Sequence, residues 1–562
     1  MDLKKLLAEE LEGHVQNTMT EGEINNLIEI PKNPEHGDLA FPCFQLAKAL
    51  RQSPAHIAEE LSKKLEKSKR FSQVKPIGPY LNVFFSSKVI GKTVITKVLK
   101  EGHEFGKGSI GEHKTVLLDM SSPNIARPFS MGHLRSTVIG NALANLADKC
   151  GYKTVKINHL GDWGTQFGKL ITAYKKWGDE SKVKSNPIKE LSKLYVKFHE
   201  EAEKNERLED EARAAFKSLE DGDNENLKLW QWFRDESIKA FMEIYDLLGV
   251  SFDSYNGEAF YNDKMDEVVD LLKDQKLLEI SEGAEVVQFD NLQLPPCLIR
   301  KSDGATLYAT RDLAAAIYRQ NTYRFDTALY VVGQEQTVHF KQVKGVLRKL
   351  NFEWAEGMHH IPFGLYLKDG KRMSTRKGRV ILLEEVLREA IQHAEKNIAD
   401  KNPSLKNAEK VAESVGVGAI IFHDLKNDRL NNIEFSLKDM LTFEGETGPY
   451  VQYTYARAMS ILKKSNINKY EFQGLNDEES WEIIKHLNHF REIIENAYNR
   501  YSPSVLAKYL IHLSQSFNKY YAKVRIIEKD EEFISRIALV KAVTIVLEEG
   551  LRILGIKAPP EM

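Results

Sequence analysis

The sequence predicts a multidomain protein. It combines an α/β part built on a doubly wound parallel sheet with an all-α C-terminal bundle. Three observations predict it. An apolar run, Thr115 to Met120, leads through a turn of small residues into a helical pattern in which Leu134, Val138, Ala142 and Leu146 recur at i, i+4. A second strand-like run, Lys153 to Asn158, follows Gly151, so the segment reads β-α-β with a phosphate-type turn after its first strand. From 440 onward the apolar residues fall almost wholly on helical stripes.

Residues 1–110 form a separate α/β module in this reading. A helix is expected over 2–17, helices over 45–66 and a strand at GPYLNVFF (78–85), with Gly106, Gly108 and Gly111 marking the boundary. Residues 111–400 hold the sheet domain, interrupted by an insertion over 181–300. The first part of the insertion, 181–250, is charged and glycine-poor, with the Glu/Lys spacing of solvated helices. Short strand-like pieces such as EVVQF (285–289) follow. The sheet pattern resumes near 300, with a helix entry at LYATRDLAAAIYR (307–319) and strands at ALYVVG (328–333) and FGLYL (363–367). A connecting helical region, 401–440, leads to a helical domain, 441–562. There Ser502-Pro503 reads as a cap and first-turn proline. Leu506, Leu510, Leu513, Phe517 and Tyr520 form one stripe. Ile537, Val540, Val543, Leu547, Leu551 and Leu554 form another, closed by Gly555.

Composition narrows the function classes. A formal charge of −2 leaves a nucleic-acid partner open, because such a surface needs local basic patches rather than a basic chain. Cys43, Cys150 and Cys297 are too dispersed for a disulfide framework or a zinc-type cluster. The first residues are too polar for a signal peptide. The apolar run Val415 to Phe422 falls far short of the roughly 20 residues of a membrane span. A cytoplasmic location with no membrane partner is expected.

Two segments carry the chemistry. SSPNIARPFSMGHLRST (121–137) sits where a strand feeds a helix, so Gly132 and His133 lie at a helix N-terminus whose free N–H groups and dipole favour an anion. GKRMSTRKG (370–378), with Arg379 just beyond, places Lys371, Arg372, Arg376 and Lys377 among small or hydroxylated residues. One loop cradles a nucleotide and the other clamps its phosphates. In-line attack on an α-phosphate is served mainly by such positioning and charge stabilisation.

The pair resembles the HIGH and KMSKS motifs of class I aminoacyl-tRNA synthetases. The full first string, together with GDWGTQFG (161–168), YATRD (308–312) and GPYVQYTYAR (448–457), resembles the arginyl-tRNA synthetase family along the whole chain. The resemblance implies a Rossmann-type catalytic domain at 111–400, a tRNA-elbow module at 1–110 and an anticodon-binding domain at 441–562. It implies a monomeric ligase that makes arginyl-adenylate from L-arginine and ATP and passes the arginyl group to the terminal adenosine of tRNA-Arg. Arg127, Ser130, Gly132, His133, Met373, Ser374 and Arg376 are the implied catalytic set. Asp119, Ser122 and Asn124 would hold the α-amino and carboxylate ends of the amino acid. Tyr308 and Asp312 would read the guanidinium, with Gln336 lining the pocket; a planar fork of donors is best met by a carboxylate with neighbouring acceptors. Magnesium is expected with ATP, held by phosphates and waters rather than by a protein cage.

Several positions depart from the family pattern. Ser130 stands at the first histidine of HIGH, Arg372 at the opening lysine of KMSKS and Thr375 at its second lysine. Arg127 is expected to supply the cationic charge that Thr375 lacks. For tRNA, Tyr450 and Tyr453 with Arg457 suit stacking on unpaired anticodon bases, while Tyr80 and Asn82 would meet a D-loop base. The residues alone leave other readings open. Asp312 would also serve as a helix first-turn carboxylate behind a Thr310 cap, and Tyr80 and Asn82 as a core aromatic and a strand-end amide. The tyrosines at 450–455 would also serve as packing. A class I synthetase for another amino acid, or a synthetase-like RNA-binding regulator, would share much of the pattern.

Overall fold

A computed structural model describes residues 1–15, 18–289, 294–302, 307–372 and 382–562. Its N-terminal module is an antiparallel sheet of β1 (Leu39–Pro42), β2 (Phe71–Ile77) and β3 (Tyr80–Phe85) in the order β1-β3-β2. The first helix, Leu3–Glu12, stops short of the expected 17 because Gly13 closes it. Strand β2 was not anticipated: only Phe71 and Val74 of FSQVKPI are buried, too thin a signal to register as a strand.

The parallel sheet begins with β4 (Thr115–Asp119) and β5 (Lys153–Ile157), with Leu117 opposite Val155. The insertion then contributes helices Glu180–Ser185, Pro187–Ala202, Arg207–Glu220 and Asn224–Leu248. A small antiparallel meander of β6 (Glu279–Ser281), β7 (Ala284–Val287) and β8 (Cys297–Arg300) follows. The parallel sheet resumes with β9 (Thr327–Tyr330) and β10 (Met358–His360), giving the order β10-β9-β4-β5. Val116 and Leu118 face one core and Leu117 another, so β4 is buried on both faces, as a parallel sheet requires. The chain leaves β4 for β5 on one side and returns to β9 on the other. The crevice at the carboxyl ends of β4 and β9 is therefore the topological switch point, where doubly wound sheets bind ligands.

Beyond β10, a hairpin of β11 (Tyr366–Lys368) and β12 (Lys371–Arg372) pairs through β11 with the parallel strand β13 (Ile433–Glu434). The strand expected at 363–367 begins only at Tyr366, because Phe363 instead bridges Gly333, and Gly364 then passes close against the segment 429–431. The Gly364 N–H donates to the Arg429 carbonyl, and an added Cβ would lie 2.6 Å from the Asn431 oxygen. The expected domain boundary at 400 falls at the end of helix Leu383–Lys401, which packs as one hairpin with helix Ala408–Leu425. That second helix contains the apolar run 415–422. Among the described residues no helix is long and apolar enough to cross a membrane.

Four long helices, Gly448–Ser465, Glu478–Asn499, Ser504–Lys523 and Phe533–Ile553, make the C-terminal bundle. Both stripes read from the sequence are fully enclosed, none of their members more than 1% exposed. Gly555 follows the last helix at φ +78°, which a side chain would strain. The third helix begins at Ser504 rather than at Pro503, which occupies the cap position with helical dihedrals. The N-terminal module docks on this bundle: Asp38 accepts from Trp481 Nε1 at 3.0 Å and lies 3.4 Å from Lys485 Nζ.

Candidate active site and nucleic-acid surfaces

The first phosphate loop leaves β4 with Ser121 and Ser122 at φ +72° and +49°, so the backbone here is held in the left-handed region by its surroundings. The surroundings are polar and fully packed. Ser121 N–H donates to Ser136 Oγ, Ser121 Oγ meets Tyr245 Oη at 2.7 Å, and Ser136 Oγ donates to the Val331 carbonyl beyond β9. Asn124 lies across Gly161, where any Cβ would collide with Asn124 Oδ1 at 2.1 Å. GDWGTQFG therefore needs its first glycine for close approach.

Helix Met131–Lys149 starts at Ser130, whose backbone N–H donates to His133 Nδ1 at 3.1 Å; Ser130 Oγ stands 3.2 Å from the same nitrogen. Ser130 thus fixes the His133 ring at the start of the helix. Burial and the nearby Arg127 push the His133 imidazole down to about 4. It is neutral near pH 7, and with Nδ1 accepting, its proton sits on Nε2 as a donor. Gly132 is exposed in the first turn. Arg127 is exposed, donates to Gln166 Oε1 at 3.2 Å and lies 5.3 Å from the Tyr195 ring of the insertion.

At the end of β4, Asp119 is almost enclosed. It accepts from Ser122 Oγ at 3.0 Å and from Arg319 Nη1 at 2.7 Å. Asp119 is therefore engaged by Arg319, although a carboxylate's roughly four lone-pair sites leave room for an ammonium. Arg319, fully buried, also reaches His159 Nδ1 at 3.2 Å and stacks near Tyr261 and Tyr330. An arginine inside the alanine-rich stretch 313–319 was the sequence signal for it, and it was missed.

Asp312 lies one helical turn after Tyr308 on helix Tyr308–Tyr323. It accepts from His339 Nε2 at 2.5 Å and its side chain is 30% exposed, so it is not turned to bulk water. Burial would raise its carboxyl, but the His339 hydrogen bond, with the charges of His339, His159 and Arg319, holds it below its ordinary value. Thr310 does not cap this helix; its hydroxyl donates to the Ile299 carbonyl. Tyr308 and Gln336 stand exposed at the starts of the two helices that bring Asp312 and His339 together.

A second carboxylate was missed. Glu258 is mostly buried, lies near enough to Asp312 and Asp162 to feel their charge, and is 3.7 Å from Arg311 Nη1. Burial, reinforced by the two aspartates and opposed by Arg311, pushes it up to about 7. Only its place after Gly257 in YNGEAF would have drawn attention to it.

The second phosphate loop is described up to Arg372. Asp369 and Gly370, at φ +53° and +70°, turn the hairpin and set Arg372 opposite Leu367. Met373, Ser374, Thr375 and Arg376 lie outside the described residues. Among the described residues no group of three His, Cys, Asp or Glu side chains is arranged to hold a metal.

On the bundle, Tyr453 is exposed, and Arg457 lies between Tyr453 and Tyr521, 4.9 Å from each ring. Tyr521, also exposed, completes a stack that the sequence reading left unfinished. Tyr450 accepts from Asn518 through its hydroxyl at 3.1 Å, and Tyr455 belongs to the core. In the N-terminal module Tyr80 meets exposed Phe44 edge-on at 5.8 Å. Asn82 lies inside β3, is 3% exposed and donates to the Tyr80 carbonyl, while Tyr80 and Phe44 reach the surface beside it.

Comparison with known proteins matches three family descriptions in order along the chain. These are the arginyl tRNA synthetase N terminal domain over residues 1–85, the catalytic domain of class I (R) tRNA synthetases over 94–437 and the DALR anticodon binding domain over 451–562. An arginine–tRNA ligase 2 of Bacillus anthracis is 59% identical over the full length of both chains. The arginine–tRNA ligase of Enterococcus faecalis is 56% identical, again with both chains covered in full. Among solved structures, Thermus thermophilus arginyl-tRNA synthetase superposes with a TM-score of 0.81 at 25% identity, with both chains covered in full. Arginyl-tRNA synthetase from Plasmodium falciparum superposes with 0.79 at 24% identity, covering 100% of this chain and 98% of that one, a likeness of fold.

Proposed function

The chain belongs to the arginyl-tRNA synthetase family, and from that premise we infer how its side chains divide the work of an ATP-dependent arginine–tRNA ligase. The reading rests on one observation above others. Asp312 accepts from His339 at 2.5 Å and is held ionised by it, and a second, mostly buried carboxylate, Glu258, lies close enough to be raised by the charge of Asp312, on the side of the sheet where His133 opens a helix N-terminus. Two carboxylates suit a guanidinium, and the helix end suits phosphate.

In this reading arginine lies with its guanidinium between Asp312 and Glu258, with Tyr308 and Gln336 closing over it. Its α-amino and carboxylate ends reach toward Asp119, Ser122 and Asn124. ATP sits over Gly132 and His133, with Lys371, Arg372 and the following run to Arg376 on its phosphates, and magnesium arrives with the nucleotide. The arginine carboxylate attacks the α-phosphate, pyrophosphate leaves, and the hydroxyl of the terminal tRNA adenosine then takes the arginyl group. The tRNA rests on Tyr453, Arg457 and Tyr450, with Tyr521 beside them, and on Tyr80 of the N-terminal module. The enzyme acts as a monomer in the cytoplasm. ATP–pyrophosphate exchange with tRNA present tests the assignment: stimulation by arginine supports it, and silence or stimulation by another amino acid defeats it.

Arg127 tests the division of charge at the phosphates. Arg127→Ala should cut adenylate formation about 10–100-fold and leave arginine binding nearly unchanged. Single-turnover adenylate formation set beside equilibrium arginine binding distinguishes the two, and a loss confined to arginine affinity would refute the role.

Glu258 gives a pH signature. With its carboxyl pushed up to about 7, it is largely protonated at pH 6 and ionised at pH 8. A cationic side chain binds the ionised form, so kcat/KM for arginine should rise through that range. Glu258→Gln should weaken arginine and flatten the profile. An unchanged profile in the variant would remove Glu258 from the pocket.

A further inference from the structure

Arg135, two residues beyond His133 on the same helix, is completely buried, and so is its partner Asp424 at the end of helix Ala408–Leu425. Arg135 Nε lies 3.1 Å from Asp424 Oδ2, and the Tyr366 hydroxyl donates to that same oxygen at 2.7 Å. The rest of the guanidinium bonds backbone: Nη1 to the Asn431 carbonyl at 2.9 Å and Nη2 to the Arg429 carbonyl at 3.3 Å. Its face stacks near Phe363 and Tyr366.

The three residues join elements far apart in the chain. Arg135 belongs to the turn of helix that also holds the first phosphate loop through Ser136 and Thr137. Tyr366 opens β11, whose partner β12 ends at Arg372, where the second basic run begins. The segment 429–432 continues into β13, the other neighbour of β11, and Asn432 Oδ1 accepts from the Leu365 N–H at 2.8 Å.

Stability is a weak reason for this arrangement. Asp424 Oδ1 and Arg135 Nε are buried without an aligned hydrogen-bond partner. An incompletely satisfied buried ion pair is often no more stabilising than apolar residues of the same shape. What the set does provide is a tie between three segments, through the Arg135 contact with Asp424, its bonds to the Asn431 and Arg429 carbonyls and the Tyr366 hydroxyl on Asp424.

We propose that Arg135, Asp424 and Tyr366 are positioning residues for adenylate formation, fixing the hairpin that carries Lys371 and Arg372 at one distance and angle from the His133 helix. The proposal rests on the ligase reading above. It concerns only the phosphate side of the site; the arginine pocket is built on other elements, around Asp312 and Glu258.

Two variants test it. Tyr366→Phe removes one hydroxyl, and the triple Arg135→Met, Asp424→Leu, Tyr366→Phe replaces the polar set with apolar residues of similar size. Arginine-dependent ATP–pyrophosphate exchange with tRNA present is measured beside the thermal midpoint. A misplacement of about 1 Å costs roughly 100-fold in rate, so the triple should lose about that factor in kcat and Tyr366→Phe about tenfold. KM for arginine should stay within about twofold of the parent and the midpoint within a few degrees of it. A folded triple, or Tyr366→Phe if the triple fails to fold, that keeps full kcat overturns the proposal. So does a loss that appears in arginine KM or only in step with unfolding. Absence of arginine stimulation in the parent protein would instead bring down the ligase reading and this proposal with it.

Discussion

Replacing Asp312 with asparagine is expected to lower kcat/KM for arginine by about a thousandfold, because breaking one partner of a desolvated charge pair costs roughly 3–5 kcal/mol. The substitution is nearly isosteric. Its side-chain oxygen still accepts from His339, so the contact that orders the two helix starts survives and the loss is confined to the guanidinium. KM for ATP should move little. Citrulline sharpens the result, since it keeps the shape of arginine and lacks the charge. A site that leaves buried acceptors unpaired against the wrong ligand rejects it by about 10⁴–10⁵-fold, and Asp312→Asn should narrow that gap from the arginine side. Steady-state exchange kinetics for both ligands decide the matter. Normal arginine kinetics in Asp312→Asn would mean that Asp312 serves only to hold His339.

The sequence carried the fold where periodicity and chemistry agreed. Val116, Leu117 and Leu118 announced a two-sided strand, and the stripes of the last two helices were legible because their members are large apolar residues at helical spacing. Strand β2 was illegible for the opposite reason, being an edge strand with most of its side chains in solvent. The site divides similarly. Asp312 and His133 sit in strings whose local pattern points to chemistry. Glu258, Arg319 and Tyr521 acquire their surroundings only from partners far along the chain, such as Asp119 for Arg319 and Arg457 for Tyr521. Spacing cannot reveal such pairs. Asn82 shows the converse: its neighbour in sequence, Tyr80, is also its hydrogen-bond partner, and that local bond turns the amide inward.

Ser130 and His133 are where the departure from the family motif acquires a physical account, and the two ring nitrogens of His133 can be tested separately. Nδ1 accepts the Ser130 N–H and fixes the first turn; Nε2 carries the proton that the proposed role offers to phosphate. His133→Asn retains an oxygen near the Nδ1 position and has no donor near Nε2. His133→Gln retains a donor near Nε2 and gives up the acceptor. Loss of one preorganised donor to developing phosphate charge costs about 10²–10³ in rate. His133→Asn should therefore fall by about that factor with its thermal midpoint preserved, whereas His133→Gln should keep more activity and lose stability. With its pKa pushed down to about 4, His133 stays neutral throughout pH 6–8 and contributes no inflection there to the rate of adenylate formation. An imidazolium acting as a phosphate counter-charge would instead give a rate that falls as pH rises through the ordinary histidine value. Stopped-flow adenylate formation across that range, in the parent and both variants, separates the two. Full activity in His133→Asn would show that the helix N-terminus alone does the work assigned to the imidazole.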